Sequence, residues 1–181
     1  MLRHMPQGLA AVLCLCGVVF AVQEPGIWLD VPFVQQQKDG CGAAVIAMVM
    51  QYWNAQQARP PHNDADVAQI QRMLYSRKAH GIYAADMERY FNEHGFRTFA
   101  FAGDQNDLRT HLAKGRPLIV ALKPKAGETS LHYVIVVGLG TQQDVILLND
   151  PAQKKLLQED QAKFQKEWKA VGNWTLLAVP K

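Results

Sequence analysis

Apolar residues recur at helical spacing in the first half of the chain. Directly after Cys41, the residues over 45–50 are all apolar, which predicts a helix over 41–54 that is buried on most sides. An extended segment is predicted before it, over 29–34, where Pro32 disfavours a central strand. Apolar spacing and flanking Gly, Asn and Asp residues predict three further helices, over 63–76, 84–94 and 108–114.

The second half carries short apolar runs bounded by Gly and Pro, which indicates strands. The predicted strands cover 117–122, 133–138, 144–149 and 174–179. Only residues 139–143 separate the second strand from the third, so these two are expected to form a hairpin. A last helix is predicted over 158–169, with Phe164 and Trp168 facing inward. The order of elements indicates an α+β domain, in which an N-terminal helical half packs on a C-terminal antiparallel sheet.

The start of the chain has the pattern of an export signal. Arg3 precedes an apolar stretch over 8–21 that is too short to span a bilayer and that ends in the small residue Ala21. We therefore predict a signal peptide over 1–21, one domain over 22–181, and a periplasmic or extracellular location. An uncleaved signal would instead anchor the protein in the membrane. Leu15 disfavours lipidation at Cys16, because a lipobox has a small residue before its cysteine.

Charge and motif content restrict the partners. The formal net charge is only +3 at pH 7 and no block of Lys or Arg occurs, so a nucleic-acid partner is not expected. The sequence has no metal-ligand spacing such as CxxC or HExxH and no phosphate-binding glycine loop. We therefore expect no metal or organic cofactor, and no integral membrane domain once the signal is removed. The oligomeric state is left open.

Cys41 is the first candidate for chemistry. Two of the three cysteines lie in the predicted signal, so its removal would leave Cys41 without a partner for an internal disulfide. Cys41 lies between Gly40 and Gly42 and is the first residue of a predicted helix. The helix dipole favours a thiolate at this position. A buried, inert cysteine is the alternative, but this position predicts a nucleophile.

His132 and Asp150 are the candidates for its partners. His132 begins the second predicted strand and Asp150 directly follows the third. If these strands form a hairpin, the two residues lie at the same edge of the sheet, within hydrogen-bond reach. Asp150 would then fix the tautomer of His132 and stabilise its cation. Each residue taken alone also fits an ordinary role, because Asn149-Asp150-Pro151 is a common turn sequence.

A cysteine hydrolase also needs donors for the oxyanion of its tetrahedral intermediate. The backbone N–H of Cys41 is one candidate, and a glutamine side chain is a suitable second. Gln35, Gln36 and Gln37 all precede the helix, and residue type alone does not choose among them.

Four segments together resemble a known family: VPFVQ at 31–35, CGAAVIAMV at 41–49, LHYVIVVG at 131–138 and LNDP at 148–151. They resemble the bacteriocin-processing cysteine peptidases, family thirty-nine of the papain-like clan, whose members cut leader peptides after double glycines. The resemblance covers most of 29–179 and implies a papain-like fold. The family pattern is Gln, five residues and Cys-Gly, which implies Gln35 as the oxyanion donor in preference to its neighbours.

The resemblance also implies the roles of the other residues. Cys41 would be the nucleophile, His132 the general base and then acid, and Asp150 the orienting group. Many leader-processing members are fused to a membrane transporter, whereas this sequence looks closest to the free-standing, exported branch. Hydrolysis of a peptide or protein substrate is therefore implied better than cleavage of a double-glycine leader.

Two other functions use the same residues. The acyl-thioenzyme could pass its acyl group to an amine instead of water, which would make the protein an amide transferase. The groove could also hold an extended peptide without cutting it, as a binding module on a peptidase fold.

Overall fold

The structure, a computed structural model, describes residues 26–58, 63–123, 131–140 and 144–181. The predicted signal peptide over 1–21 lies outside these residues, and so do positions 141–143 of the predicted hairpin turn. None of the helices in the described ranges has the length and apolarity needed to cross a membrane.

Five α-helices and one short 3-10 helix occur in the described residues. The α-helices are α1 (Cys41–Gln56), α2 (Val67–Leu74), α3 (Ala84–Glu93), α4 (Gln105–Ala113) and α5 (Gln161–Lys169). The 3-10 helix covers Asn63–Ala65. Aspartates cap three of the α-helices, because the side chains of Asp66, Asp104 and Asp160 each accept a backbone N–H of the first turn.

In the part of the chain that the structure describes, seven strands form one antiparallel sheet. They are β1 (Ile27–Trp28), β2 (Phe96–Ala102), β3 (Leu118–Leu122), β4 (His132–Leu139), β5 (Val145–Asn149), β6 (Leu157–Asp160) and β7 (Trp174–Pro180). The order across the sheet is β2-β7-β3-β4-β5-β6, and the short β1 pairs with the end of β4. The predicted hairpin is confirmed, because β4 pairs directly with β5.

Helices cover both faces of this sheet, and each face has its own core. On one face, α1 to α3 pack against alternate residues of the central strands, among them Ile119, Tyr133 and Ile135. On the other face, α4 and α5 pack against the intervening residues of the same strands, among which are Val120 and Val134. Burial on both sides explains why β3 and β4 are apolar at nearly every position, without the usual alternation.

The predicted α+β architecture is confirmed, although several elements differ from those predicted. The predicted helices over 41–54 and 84–94 agree closely with α1 and α3, and α1 is buried along nearly its whole length. The edge strand β2 lies in a stretch for which no element was predicted. The predicted helix over 158–169 instead begins at Gln161, because the preceding residues form β6 and pair with β5.

Gly42 fixes the position of the first turn of α1. A Cβ atom at Gly42 would lie 2.9 Å from Cβ of Ile82, so only glycine allows this close contact with the segment before α3. The contact holds the N-terminus of α1, and therefore Cys41, in one place relative to the rest of the helical half.

Candidate active site

Cys41 is the first residue of α1, as predicted, and its side chain is partly exposed. The preceding Gly40 has no side chain and therefore gives the first turn of the helix no side-chain cap hydrogen bond. The Sγ atom lies 4.0 Å from the carbonyl oxygen of Leu131, the residue before β4. The helix start therefore faces the start of that strand.

The structure brings His132 and Asp150 together with this thiol. His132 is the first residue of β4, and Asp150 directly follows β5. Pairing of the two strands puts both residues at one edge of the sheet, where Nε2 of His132 lies 2.8 Å from Oδ1 of Asp150. Cys41 and His132 line the same cleft, and the interaction between the thiol and the imidazole contributes to a raised pKa of His132.

The charges of His132 and Asp150 stabilise one another. Burial alone would lower the pKa of His132, but its hydrogen bond to Asp150 and its interaction with the Cys41 thiol outweigh burial and raise the pKa from 6.5 to about 9. Burial alone would raise the pKa of Asp150, but the hydrogen bond to His132 and those from Ala152 and Gln153 hold it below its usual 3.8. At neutral pH the pair is therefore an imidazolium and a carboxylate.

The Asp150 carboxylate is almost completely buried, with 4% of the residue exposed. A buried charge is tolerated when several donors surround it. Besides His132, the backbone N–H of Ala152 donates to Oδ1 at 2.9 Å, and Nε2 of Gln153 donates to Oδ2 at 2.6 Å. The role of Gln153 was not predicted from the sequence, although its position three residues after Asp150, in an Asp-Pro turn, is a signal for contact across a tight turn.

Gln35, the glutamine that the family pattern implied, does not line the cleft with Cys41, His132 and Asp150. The side chain of Gln35 is exposed, whereas Gln36 lines the cleft that contains Cys41 and His132. The backbone N–H of Gln36 donates to the carbonyl oxygen of Pro151 at 2.9 Å, which fixes this part of the segment beside Asp150. Because side chains alternate along an extended segment, Gln36 then faces the cleft and its two neighbours face solvent.

The side-chain amide of Gln36 is not fully hydrogen-bonded among the described residues. Among the described residues, its Oε1 atom is buried and has no hydrogen-bond partner. A buried polar atom without a partner is uncommon in proteins and calls for an explanation. An amide that meets its partner only when a ligand occupies the cleft is such an explanation.

The cleft has a volume of about 470 Å³ and lies where the helical half meets the sheet. One part of its wall is apolar and is formed by Leu122, Leu131 and Leu148. A cleft of this size, with a partly exposed thiol in its wall, is typical of a ligand-binding site.

The rest of the cleft wall carries charged and titratable side chains. Lys163 of α5 lies 2.7 Å from Glu159 and 3.7 Å from Glu167, and Asp39 and His80 come from the helical side. Lys163 neutralises only one of its two carboxylate partners, so this part of the wall is acidic. Sequence analysis missed this wall, because no pattern along the chain predicted that β6 and α5 lie opposite α1.

The stability of the protein should depend on the charge state of His132 and Asp150. A raised pKa means that His132 stabilises the fold fully below pH 6.5 and that this contribution is lost as the pH rises through about 9. A lowered pKa means that the contribution of Asp150 is present above 3.8 and is lost as the pH falls through its folded value. The pair should therefore contribute most between these limits, on the order of 2–4 kcal/mol.

Urea unfolding of wild type and Asp150→Asn across pH measures this contribution. The difference between their free energies of unfolding should be largest from about pH 4 to 7 and should shrink toward both extremes. A difference that stays constant from pH 3 to 10 would show that the charges do not stabilise the fold.

Comparison with known proteins connects this geometry to a family. The profile of the Peptidase_C39 like family matches residues 28–176. Among curated proteins, none matches this chain.

Solved structures share the fold. The peptidase domain of Streptococcus ComA, a bi-functional ABC transporter involved in a quorum sensing pathway, has a TM-score of 0.61 and 22% identity, and the match covers 83% of this chain and 98% of that domain. A double glycine motif protease from an AMS/PCAT transporter, solved in complex with the leader peptide, has a TM-score of 0.62 and 19% identity over 85% of this chain and 94% of its own. A C39-like peptidase from Bacillus anthracis has a TM-score of 0.63 and 15% identity over 87% and 99% of the two chains.

At these identities the solved structures establish the fold, which is that of papain-like C39 peptidase domains. The family match is independent of them and spans most of the chain, including Cys41, His132 and Asp150. The protein belongs to the Peptidase_C39 like family.

Proposed function

We propose that this protein is a cysteine peptidase that hydrolyses peptide bonds through Cys41, His132 and Asp150. The observation that carries the proposal is that the hydrogen-bonded pair of His132 and Asp150 lines one cleft with the thiol at the start of α1. Family membership and the shared fold support the same class of activity. A peptide substrate is supported by the leader peptide bound to one of the structural relatives.

The proposed reaction has two steps. In the first, the thiolate of Cys41 attacks the carbonyl carbon, a C–S bond forms, and the C–N bond breaks as the His132 imidazolium gives its proton to the leaving amine. In the second, neutral His132 takes a proton from water, which attacks the thioester; the C–S bond breaks, the carboxylic acid leaves, and the Cys41 thiolate and the His132 imidazolium are restored. Asp150 keeps His132 in the orientation that both transfers need.

The oxyanion formed in each step needs donors on the other side of the carbonyl. We assign this role to the backbone N–H of Cys41 and the side-chain amide of Gln36, in place of Gln35. Gln36 lines the same cleft as the thiol, and the NH₂ group of its amide is the kind of donor that an oxyanion needs. Removal of such a donor raises the barrier to the chemical step because the developing charge loses a preorganised partner.

A peptide library tests the proposed function. The purified protein is incubated with peptides that include double-glycine sequences, and new termini are located by mass spectrometry, with Cys41→Ala as the control. We expect cleavage by wild type alone. Absence of cleavage with every peptide would contradict the proposal. A parallel incubation with an added amine distinguishes hydrolysis from acyl transfer, because a transferase would give the amide as product.

Asp150→Asn should lower turnover by roughly tenfold to a thousandfold while the fold is kept. The neutral amide removes the anionic partner that raises the pKa of His132 to about 9. The alkaline limit of activity should therefore move to lower pH, since His132 must be protonated to donate to the leaving amine. Turnover is measured across pH beside the circular dichroism spectrum. If Asp150→Asn has wild-type turnover and a native spectrum, Asp150 is only a turn residue and does not orient His132.

A further inference from the structure

The carboxylate that orients His132 is itself held by a residue of the following turn. Nε2 of Gln153 donates to Oδ2 of Asp150 at 2.6 Å, whereas His132 and the N–H of Ala152 both use Oδ1. The backbone fixes this turn as well, because the N–H of Gln153 donates to the carbonyl oxygen of Asp150 at 3.0 Å. The two carboxylate oxygens thus have separate partners.

This division of partners fixes the plane of the carboxylate. The terminal torsion of an aspartate is soft, so hydrogen bonds that all go to Oδ1 leave Oδ2 free to swing about that oxygen. A hydrogen bond to Oδ2 stops that rotation and leaves Oδ1 directed at His132. The bond is made to a charged, nearly buried group, which puts it among the stronger hydrogen bonds in proteins.

We propose that Gln153 is a positioning residue for the catalytic centre, because its amide holds the Asp150 carboxylate in the orientation that binds His132. The consequence for catalysis rests on the proposed peptidase function. The effect on the protonation of His132 and on the reactivity of Cys41 does not rest on that function. It follows only from the contacts among these side chains. Gln153 is mostly exposed at the edge of the cleft and has no part in the core.

Gln153→Met removes the donor and keeps the length of the side chain. We expect kcat to fall roughly three- to thirtyfold with little change in KM, because the substrate does not bind the missing group. The acid limit of activity should move to higher pH, since Asp150 loses a donor that lowers its pKa. Gln158→Met, at an exposed position of β6, is the matched control and should behave as wild type. The other titratable side chains lining the cleft stay unchanged in both variants: Asp39, His80, Glu159, Lys163 and Glu167.

A double-mutant cycle separates positioning from direct contact with substrate. If Gln153 acts through the charge of Asp150, Gln153→Met should change turnover by less than about twofold in an Asp150→Asn background. An equal loss in both backgrounds, or a rise in KM alone, would assign Gln153 to substrate binding and overturn the inference. Wild-type turnover and pH profile in the single variant would overturn it as well.

Two measurements need no substrate. The titration of the His132 ring is followed by NMR, with its signal assigned by its loss in His132→Gln, and the rate of alkylation of Cys41 by iodoacetamide is followed across pH. Gln153→Met should shift both curves relative to wild type, and Gln158→Met should shift neither. Shifted curves without any peptide cleavage would support the positioning role and contradict the peptidase. Unshifted curves beside normal cleavage would contradict the positioning role alone.

Discussion

Cys41→Ala should abolish peptide hydrolysis and leave the fold unchanged. The proposed mechanism forms a covalent bond to Sγ, and within the cleft the structure shows no second thiol among the described residues. We expect turnover to fall by on the order of 10⁴-fold or more, because the rest of the site cannot replace the covalent step. Purified wild type and variant are compared on the same peptide, with cleavage followed by mass spectrometry.

The fold should tolerate this change because Cys41 is partly exposed and only its backbone begins α1. Circular dichroism and the urea midpoint of the variant should therefore match those of wild type. Cys41→Ser provides a matched comparison, since a hydroxyl keeps the shape of the thiol but remains protonated beside His132. Hydrolysis at the wild-type rate by either variant, with a native spectrum, would mean that another group attacks the substrate.

The site depends on rigid elements that come from opposite halves of the fold. The helical half supplies the thiol at a helix start, fixed by the contact between Gly42 and Ile82. The sheet supplies His132 and Asp150 at the ends of two paired strands. Elements of regular structure hold side chains more precisely than loops do, which suits a proton transfer that needs the donor within hydrogen-bond distance.

Local patterns were sufficient to predict the elements that carry these three residues. The apolar run after Cys41 indicated a buried helix, and α1 begins at the predicted residue. The two apolar runs around the short turn indicated a hairpin, and β4 and β5 pair as expected. The predicted proximity of His132 and Asp150 followed from the hairpin alone, and the structure shows them 2.8 Å apart.

The elements that sequence analysis missed depend on partners far away in the chain. The strand β2 lies at the edge of the sheet and pairs only with β7, whose residues come more than seventy positions later. Its exposed residues follow no strict alternation, so its apolar pattern is weak. The strand β6 is rich in polar residues and continues directly into α5, and only its pairing with β5 distinguishes it from the start of that helix.

The choice between Gln35 and Gln36 could not be made from the sequence for the same reason. It depends on the hydrogen bond from the Gln36 backbone to Pro151, a residue far away along the chain. A change of one residue in where this extended segment attaches would exchange the inward and outward side chains. The number of residues between each glutamine and Cys41 does not determine where the segment attaches.

Gln36→Ala and Gln35→Ala should therefore differ strongly in activity. Gln36→Ala removes the proposed oxyanion donor and should lower kcat by on the order of 10²- to 10³-fold, the usual loss for one such donor. KM should change little, because the donor acts on the charge that develops in the transition state. Gln35→Ala changes an exposed side chain outside the cleft and should keep nearly wild-type kcat.

The two variants form a matched pair, since they delete the same amide from adjacent positions of one segment. Both should keep the wild-type rate of Cys41 alkylation, because the amide is needed for the oxyanion and not for the thiolate. Loss of activity in Gln35→Ala with normal activity in Gln36→Ala would restore the assignment implied by the family spacing. Equal activity of both with wild type would mean that backbone N–H groups at the start of α1 are sufficient for the oxyanion.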